Sequence, residues 1–445
     1  MTRATKLLVL FLLLPVIPLV RPTTLAAEKK PSDTMTSLQR DQALQMLQDV
    51  TDKIRKEYYD AGFHSTNIDA RYSEARQKIA HAQTLSEAFG DIAWMVDGLN
   101  DTHTFFNPPS RPYVVEDPWR AKFISDALVV TAVKEGSDAA GKGLKPGDQI
   151  LAVEGFRPTR DTWWKMNYAF HTLAPRSGLK LAVVSPGGQP RELTVMSLVK
   201  NLPKNLDFTE GSDYWDMVRE AQRDEQLMES RTVETSDVLV WKLPEFMLSD
   251  EQIDAILHKA SNHKAVVLDL RGNPGGLIDN LARILGWFFD HDVKVADPIQ
   301  RKPGKPLVAK SKGGRAYTGK LIVLVDSGSA SCSELFARVI QLEKRGTVIG
   351  DRSAGAVMEA RHFTFSQDKA FGQFLPYGAE ITIADLKMTD GNSLEHHGVV
   401  PDEILLPSPE EVAVGADPQL ARALQLVGVP VSSGAAGQLL PVRWK

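Results

Sequence analysis

A single cysteine, Cys332, stands among the 445 residues. That excludes an internal disulfide framework and leaves buried apolar surface to hold the fold. No long basic run occurs, and a formal net charge of −4 sets up no one-sided field that would draw in nucleic acid. A phosphate-cradling loop of the G-x-x-x-x-G-K-[ST] type is missing as well. His396 and His397 are adjacent, and no cysteine or histidine quartet has ligand spacing, so neither a metal nor another cofactor is expected. The apolar run from Leu7 to Val20 is interrupted by Pro15 and Pro18 and falls short of the ~20 residues of a spanning helix.

With 43% hydrophobic and 24% charged residues, the composition is that of an ordinary globular protein with room for roughly two or three domains. Arg3 and Lys6 precede the Leu7–Val20 run, and Thr24-Leu25-Ala26-Ala27 follows it. A positive segment, an apolar segment and a small-residue site in that order read as an export signal over 1–26, with an uncleaved anchor as the alternative. The mature chain is then expected to be periplasmic or secreted, with no membrane insertion after cleavage.

Ala43, Leu47, Val50, Ile54 and Tyr58 keep helical spacing after a Thr36-x-x-Gln39 capping box, and Ala88, Ile92 and Met95 do so after Thr84-x-x-Glu87. The second helix runs out at Gly98 into Asn100-Asp101-Thr102-His103-Thr104. Periodicity alone reads His103 as a histidine satisfying a helix terminus. From Pro112 to about Val199 the texture changes to short β-type runs, Ala127–Val133 and Gln149–Val153. Beyond a charged stretch from Pro203 to Asp237, apolar runs alternate with helical patterns, which predicts an α/β core with a mostly parallel sheet. Ala265–Leu270 opens into Arg271-Gly272-Asn273-Pro274-Gly275-Gly276, and Leu321–Val325 opens into Asp326-Ser327-Gly328-Ser329-Ala330-Ser331-Cys332-Ser333-Glu334. Each turn is followed by a helical pattern. Both turns should sit at the carboxyl ends of strands, where open α/β sheets bind ligands and helix amino-termini offer free N–H groups. On spacing alone, Ser331-x-x-Glu334 is as well explained by helix capping as by catalysis.

Gly143-Leu144-Lys145-Pro146-Gly147-Asp148-Gln149-Ile150-Leu151, preceded by Gly136-Ser137-Asp138-Ala139-Ala140, resembles the strand-turn element and short helix of PDZ domains. Asp269–Gly276 and Gly328–Glu334 together resemble the two signature blocks of the carboxy-terminal processing (tail-specific) serine peptidases. The likeness continues through Gly350–Gly355 and Ile381–Asp385 to Gly398-Val399-Val400-Pro401-Asp402. It implies a multidomain α/β protein that hydrolyses peptide bonds in proteins or peptides. The organisation it implies is a helical region over 28–111 carrying the His103 turn, a PDZ-like domain over 112–199, a serine peptidase core over 200–410, and a closing helix with a flexible tail over 411–445. A PDZ-like domain would hold its peptide as an added strand beside Phe123 and Ile124. The segment Ala121-Lys122-Phe123-Ile124 has no glycine pair where a carboxylate-binding loop belongs, which leaves terminal-carboxylate capture open.

The resemblance places the nucleophile at Ser331. Ala356 stands where the bacterial tail-specific branch has its lysine base, so a Ser/Lys pair is not available there. The branch that includes the tricorn core protease has a histidine in a short early turn and a glutamate just before the final Gly-x-x-Pro-Asp block, which match His103 and Glu395. His103 would then be the base and Glu395 the carboxylate that orients it, directly, through Thr102 or through water. His396 and His397 rank below His103 because the family pattern has no counterpart for them. The oxyanion donors are expected from the N–H of Cys332 and from the Gly275-Gly276 turn, with the donating glycine left open. The Cys332 side chain reads as a small buried hydrophobe. A catalytically inactive peptide- or ligand-binding protein on the same scaffold is the alternative.

Overall fold

A computed structural model describes residues 34–201, 230–235, 237–366, 376–442 and 444. The export signal and most of the charged stretch 203–237 lie outside the described residues. Among the described residues no helix is long and apolar enough to cross a membrane.

The chain opens with helices α1 (Ser37–Glu57), α2 (Ile68–His81) and α3 (Leu85–Asp97). Thr36 and Gln39 form the expected capping box on α1, and Thr84 caps α3 by accepting from Glu87 N. Helix α2 buries only Ile68, Ala75 and Ile79, a stripe too thin for periodicity to reveal. Met46, Leu47, Val50, Ile54, Ile92 and Met95 join Phe106, Tyr377, Ala379 and Ile381 in one apolar cluster. The helices are thus packed on strands far along the chain: β1 (Phe105–Asn107) pairs with the long β17 (Pro376–Met388), and β16 (Met358–Ser366) flanks it. Strands β12 (Val293–Ile299) and β13 (Leu307–Ala309) complete this antiparallel sheet.

Strand β2 (Tyr113–Glu116) pairs with β8 (Leu198–Asn201), and between them runs a five-stranded antiparallel sheet. Its order is β3 (Trp119–Ile124), β4 (Ala127–Val133), β5 (Gln149–Val153), β6 (Gly178–Val184) and β7 (Arg191–Met196). Helices α4 (Asp138–Gly141) and α5 (Arg160–Tyr168) accompany it, with Leu128, Val130, Ile150, Leu181 and Val195 in its core. Gly147, at φ +88°, ends the turn before β5; a β-carbon there would lie 2.5 Å from the carbonyl oxygen of Pro409. Glycine is needed on both counts.

The remaining sheet holds β18 (Glu403–Ile404), β15 (Thr347–Gly350), β14 (Lys320–Val325), β11 (Ala265–Asp269), β10 (Val238–Lys242) and β9 (Arg231–Thr235), in that spatial order. Pairing is parallel from β18 to β10, and β9 adds an antiparallel edge. Every residue of β11 is buried, the physical reason for its unbroken apolar run. Val266 and Leu268 face one cluster, with helices α6 (Asp250–Ala260), α7 (Ile278–Gly286) and α8 (Cys332–Leu342). Ala265 and Val267 face the other, with α10 (Pro418–Leu426) and α11 (Ser433–Leu439), after the short α9 (Pro409–Ala413). The flexible tail expected over 434–440 is therefore a correction: α11 is capped by Ser432 and buries Ala436 completely. Small residues permit the close approach, since a β-carbon on Gly437 would fall 1.9 Å from the carbonyl oxygen of Gly415.

Candidate active site

Ser331 ends the turn after β14 and immediately precedes α8, at φ 53° and ψ −117°. Serine rarely adopts such a backbone, which persists only where the surroundings enforce it. The Ser331 N–H donates to Ala356 O at 2.8 Å and to Glu334 Oε2 at 3.1 Å. Glu334, completely buried, also accepts from Ser353 Oγ at 2.5 Å, Gly355 N at 2.8 Å and Ala356 N at 2.9 Å. The residue read from spacing as a helix cap thus ties the Ser331 turn to the loop 353–356. Burial pushes its carboxyl up to about 7, opposed by the Ser353 hydroxyl and the backbone donors. At the position where a lysine base would stand, Ala356 supplies only backbone groups to this network.

Gly275 packs directly on Ser331: at φ +114°, a β-carbon there would lie 2.6 Å from Ser331 Cβ. Its N–H donates to Asn273 Oδ1 at 2.8 Å, and Asn273 Nδ2 in turn donates to Leu243 O at 2.9 Å. Gly276, at φ +133°, lies against the Phe246 backbone and accepts from Cys332 Sγ at 3.3 Å. The Cys332 thiol is buried and pushed up to about 12 by that burial, which keeps it protonated and unreactive. Its backbone N–H is the first of α8, in the turn where helix N–H groups have no intrahelical acceptor.

The other half of the site comes from the opposite end of the sequence. The Asp101 side chain folds the turn after α3 by accepting from His103 N at 2.9 Å and Thr104 N at 2.6 Å. Thr382 on β17 donates to the same carboxylate at 2.9 Å. Glu395 accepts from Thr102 N at 2.8 Å, Thr102 Oγ1 at 3.1 Å and Val357 N at 2.8 Å, and Thr102 Oγ1 lies 2.8 Å from His103 Nδ1. With the threonine hydroxyl donating to the carboxylate, its oxygen accepts the proton on His103 Nδ1, and Nε2 is left as the unprotonated nitrogen. Burial lowers the His103 pKa, while Glu395 and Asp101 pull it back up.

His103, Thr102, Ala330, Ala356 and Phe123 all line one cavity of about 680 Å³, which extends along α5 past Trp163. Among the described residues no hydrogen bond joins Ser331 Oγ to His103. His396 also lines the cavity, but its Nε2 is bound to Asn100 O at 2.9 Å; His397 Nδ1 is bound to Glu395 O at 2.7 Å. Phe123 and Ile124 are both buried, and the Phe123 carbonyl already accepts from Ser327 Oγ at 2.7 Å. Asp101 and the Lys122–Asp326 ion pair escaped the sequence reading, because neither stands in a motif that announces its partner.

Comparison with known proteins matches residues 237–405 to Peptidase family S41. A carboxyl-terminal-processing protease of Synechocystis sp. is 26% identical over 312 residues, 68% of this chain and 65% of the relative. The carboxy-terminal processing protease CtpA of Bacillus subtilis is 22% identical over 70% of this chain and 62% of its own length. For the tail-specific protease of Haemophilus influenzae the values are 27%, 62% and 38%. The chain thus spans less than two thirds of the length of these relatives. Among solved structures, mature CPAF complexed with lactacystin superposes with a TM-score of 0.63 at 15% identity, covering 91% of this chain and 99% of that one. The photosystem II D1 C-terminal processing protease gives 0.51 at 16% identity, covering 90% and 99%. Through residues 237–405 and the relatives that share them, the chain belongs to peptidase family S41.

Proposed function

We propose that the protein is an exported serine endopeptidase that cleaves peptide bonds in proteins or peptides, with Ser331 as nucleophile, His103 as base and Glu395 as orienting carboxylate. The observation that carries this reading is the chain Glu395–Thr102–His103, which ends on an unprotonated imidazole nitrogen in the cavity beside the Ser331 turn. Ser331 Oγ attacks the substrate carbonyl carbon while His103 Nε2 takes its proton; His103 then delivers that proton to the leaving amine. Water repeats the sequence on the acyl-enzyme, releasing the acid and restoring the serine. The imidazolium formed on the way is stabilised by Glu395 through the Thr102 hydroxyl. The Ser331 and His103 groups meet once substrate closes the cavity, as catalytic hydrogen bonds commonly tighten only in the substrate complex. The Cys332 N–H is one oxyanion donor. The Gly275-Gly276 turn provides the second, and Gly275 can serve only by giving up its bond to Asn273.

The five-stranded sheet β3–β7 with α4 and α5 is the PDZ-like module over 112–199, and its α5 side and β3 line the same cavity as the catalytic groups. A peptide held there leads straight to Ser331. The relatives' names, carboxyl-terminal-processing and tail-specific protease, favour substrates taken near their carboxyl ends. An export signal over 1–26 places the enzyme in the periplasm or outside the cell.

The test is labelling with a fluorophosphonate, which reacts only with an activated serine. Wild type is expected to be modified at Ser331, Ser331→Ala not at all, and His103→Ala at a small fraction of the wild-type rate. A wild-type protein that is folded yet unlabelled, and that releases no peptides from a proteome digest, overturns the reading.

A further inference from the structure

Asp326 is the first residue after β14 and is only 3% exposed. Its Oδ1 accepts from Gly272 N at 2.7 Å and from Gly328 N at 3.0 Å. Those glycines belong to the two turns that carry Gly275 and Ser331, and the turns touch: a β-carbon on Gly328 would lie 3.0 Å from Gly272 Cα. One carboxylate therefore sets the spacing between the nucleophile turn and the glycine turn. Nearby, Lys242 donates to Asp269 Oδ1 at 3.3 Å and to Arg271 O, and Arg271 pairs with both Asp269 and Asp417. Three buried carboxylates thus face two cations from their own sheet and turns.

The third cation comes from elsewhere in the chain. Lys122, on β3 of the antiparallel sheet, places Nζ 2.9 Å from Asp326 Oδ2. Its strand is seated by further contacts: Ser327 Oγ donates to Phe123 O at 2.7 Å, Ser125 N donates to Asp351 Oδ2 at 2.9 Å, and Arg160 pairs with the same Asp351 oxygen at 2.5 Å. A buried carboxylate that loses its counter-charge must take up a proton, take in water or move, and each of these disturbs its two backbone donors.

We propose that Lys122 is a positioning residue for the Ser331 nucleophile: it neutralises Asp326 from the neighbouring sheet and so holds the two active-site turns at their working distance. This rests on the reading of Ser331 as nucleophile. It makes the geometry at Ser331 depend on how β3 is seated, through a single charge.

A counter-charge and a simple tether behave oppositely when the carboxylate is removed. Lys122→Met strands the charge of Asp326, whereas Lys122→Met with Asp326→Asn removes the charge and keeps an oxygen that can accept from Gly272 and Gly328. The measurements are kcat and KM on a short fluorogenic peptide, and hydrogen exchange of the segment 326–334 in the full chain. Lys122→Met is expected to lower kcat by ~10- to 100-fold, the scale of a small misplacement of reacting groups, with KM nearly unchanged. It should also speed exchange in 326–334. The double variant is expected to regain most of the lost kcat and the slower exchange, and Lys122→Arg to keep both. A double variant as slow as Lys122→Met, or a Lys122→Met enzyme with wild-type kcat and exchange, overturns the proposal. If wild type itself shows no Ser331-dependent turnover, the peptidase reading fails, and the exchange pattern of the three variants alone decides whether Lys122 sets the turn.

Discussion

At His103, two local facts govern what the imidazole can do: which nitrogen holds the proton and how readily the ring becomes charged. The Thr102 hydroxyl holds the proton on Nδ1, and burial lowers the pKa below the ordinary 6.5. A base must be neutral to accept the proton of Ser331, so activity is kept as pH falls to about 6.5 and declines only on passing through the lowered pKa. The acid limb of kcat/KM is therefore expected below ~6.5; a limb well above 7 would point to another base. His103→Ala should cost ~10²–10⁴ in kcat/KM, the usual worth of general-base catalysis. Thr102→Val removes the hydroxyl link while keeping most of the shape. It is expected to cost about 10²-fold, less than the ~10⁴ seen when the orienting acid of a Ser-His-Asp triad is neutralised, and Thr102→Ser should restore the rate. Wild-type turnover in Thr102→Val would show that Glu395 acts without the relay.

Between elements, the decisive object is the joint of β14, its turn and α8. Glu334 reaches from the first turn of α8 to Ser331 N, Ser353 Oγ, Gly355 N and Ala356 N, with two donors on each oxygen. Either orientation of a glutamine would turn its NH₂ toward two of those donors. Glu334→Gln is therefore expected to destabilise the fold by ~1–3 kcal/mol, the cost of buried polar groups left unsatisfied. It should also lower kcat more than it raises KM, because Ser331 depends on this network for its unusual backbone. Thermal unfolding and peptide hydrolysis measured side by side check both, and an unchanged midpoint with full activity would contradict the assignment. The capping-box spacing Ser331-x-x-Glu334 was legible in the sequence. That its carboxylate binds a loop some twenty positions downstream was not, because no local pattern fixes where loop 353–356 returns.

At the scale of the molecule, the carboxyl-terminal helices close the second face of the parallel sheet. Leu420, Ala423, Leu424 and Ala436 cover Val240, Val267, Ile322 and Leu324, and Asp417 pairs with Arg271 beside the glycine turn. Truncation after Gly415 removes α10 and α11, with ~1.5–3 kcal/mol of burial for each of Leu420 and Leu424 alone. It also leaves Arg271, which is buried, with Asp269 as its remaining carboxylate. The truncated chain is expected to lose most of its stability, seen as a lower unfolding midpoint and rapid limited proteolysis. Unfolding at the wild-type midpoint would mean that the sheet face is closed in another way.

The sequence by itself determined what depends on neighbours a few positions away. The apolar runs of β10, β11 and β14, the glycine turns at their ends, the capped helices α1 and α3, and Ser331 directly before a helix all follow from local pattern. The same logic found Cys332 inert as a small buried thiol. Tertiary structure decided the partnerships. Thr102 and Glu395 are 293 positions apart, and Lys122 and Asp326 are 204 apart. His103, which periodicity reads as a helix-end residue, is set beside the Ser331 turn only when β17 brings Thr382 to Asp101. The tail that composition read as flexible became a helix because Gly437 lets it lie on Gly415. Backbone preference and amphipathic spacing act over one or two turns of chain, whereas a carboxylate is satisfied by whichever donor the packed sheets deliver to it.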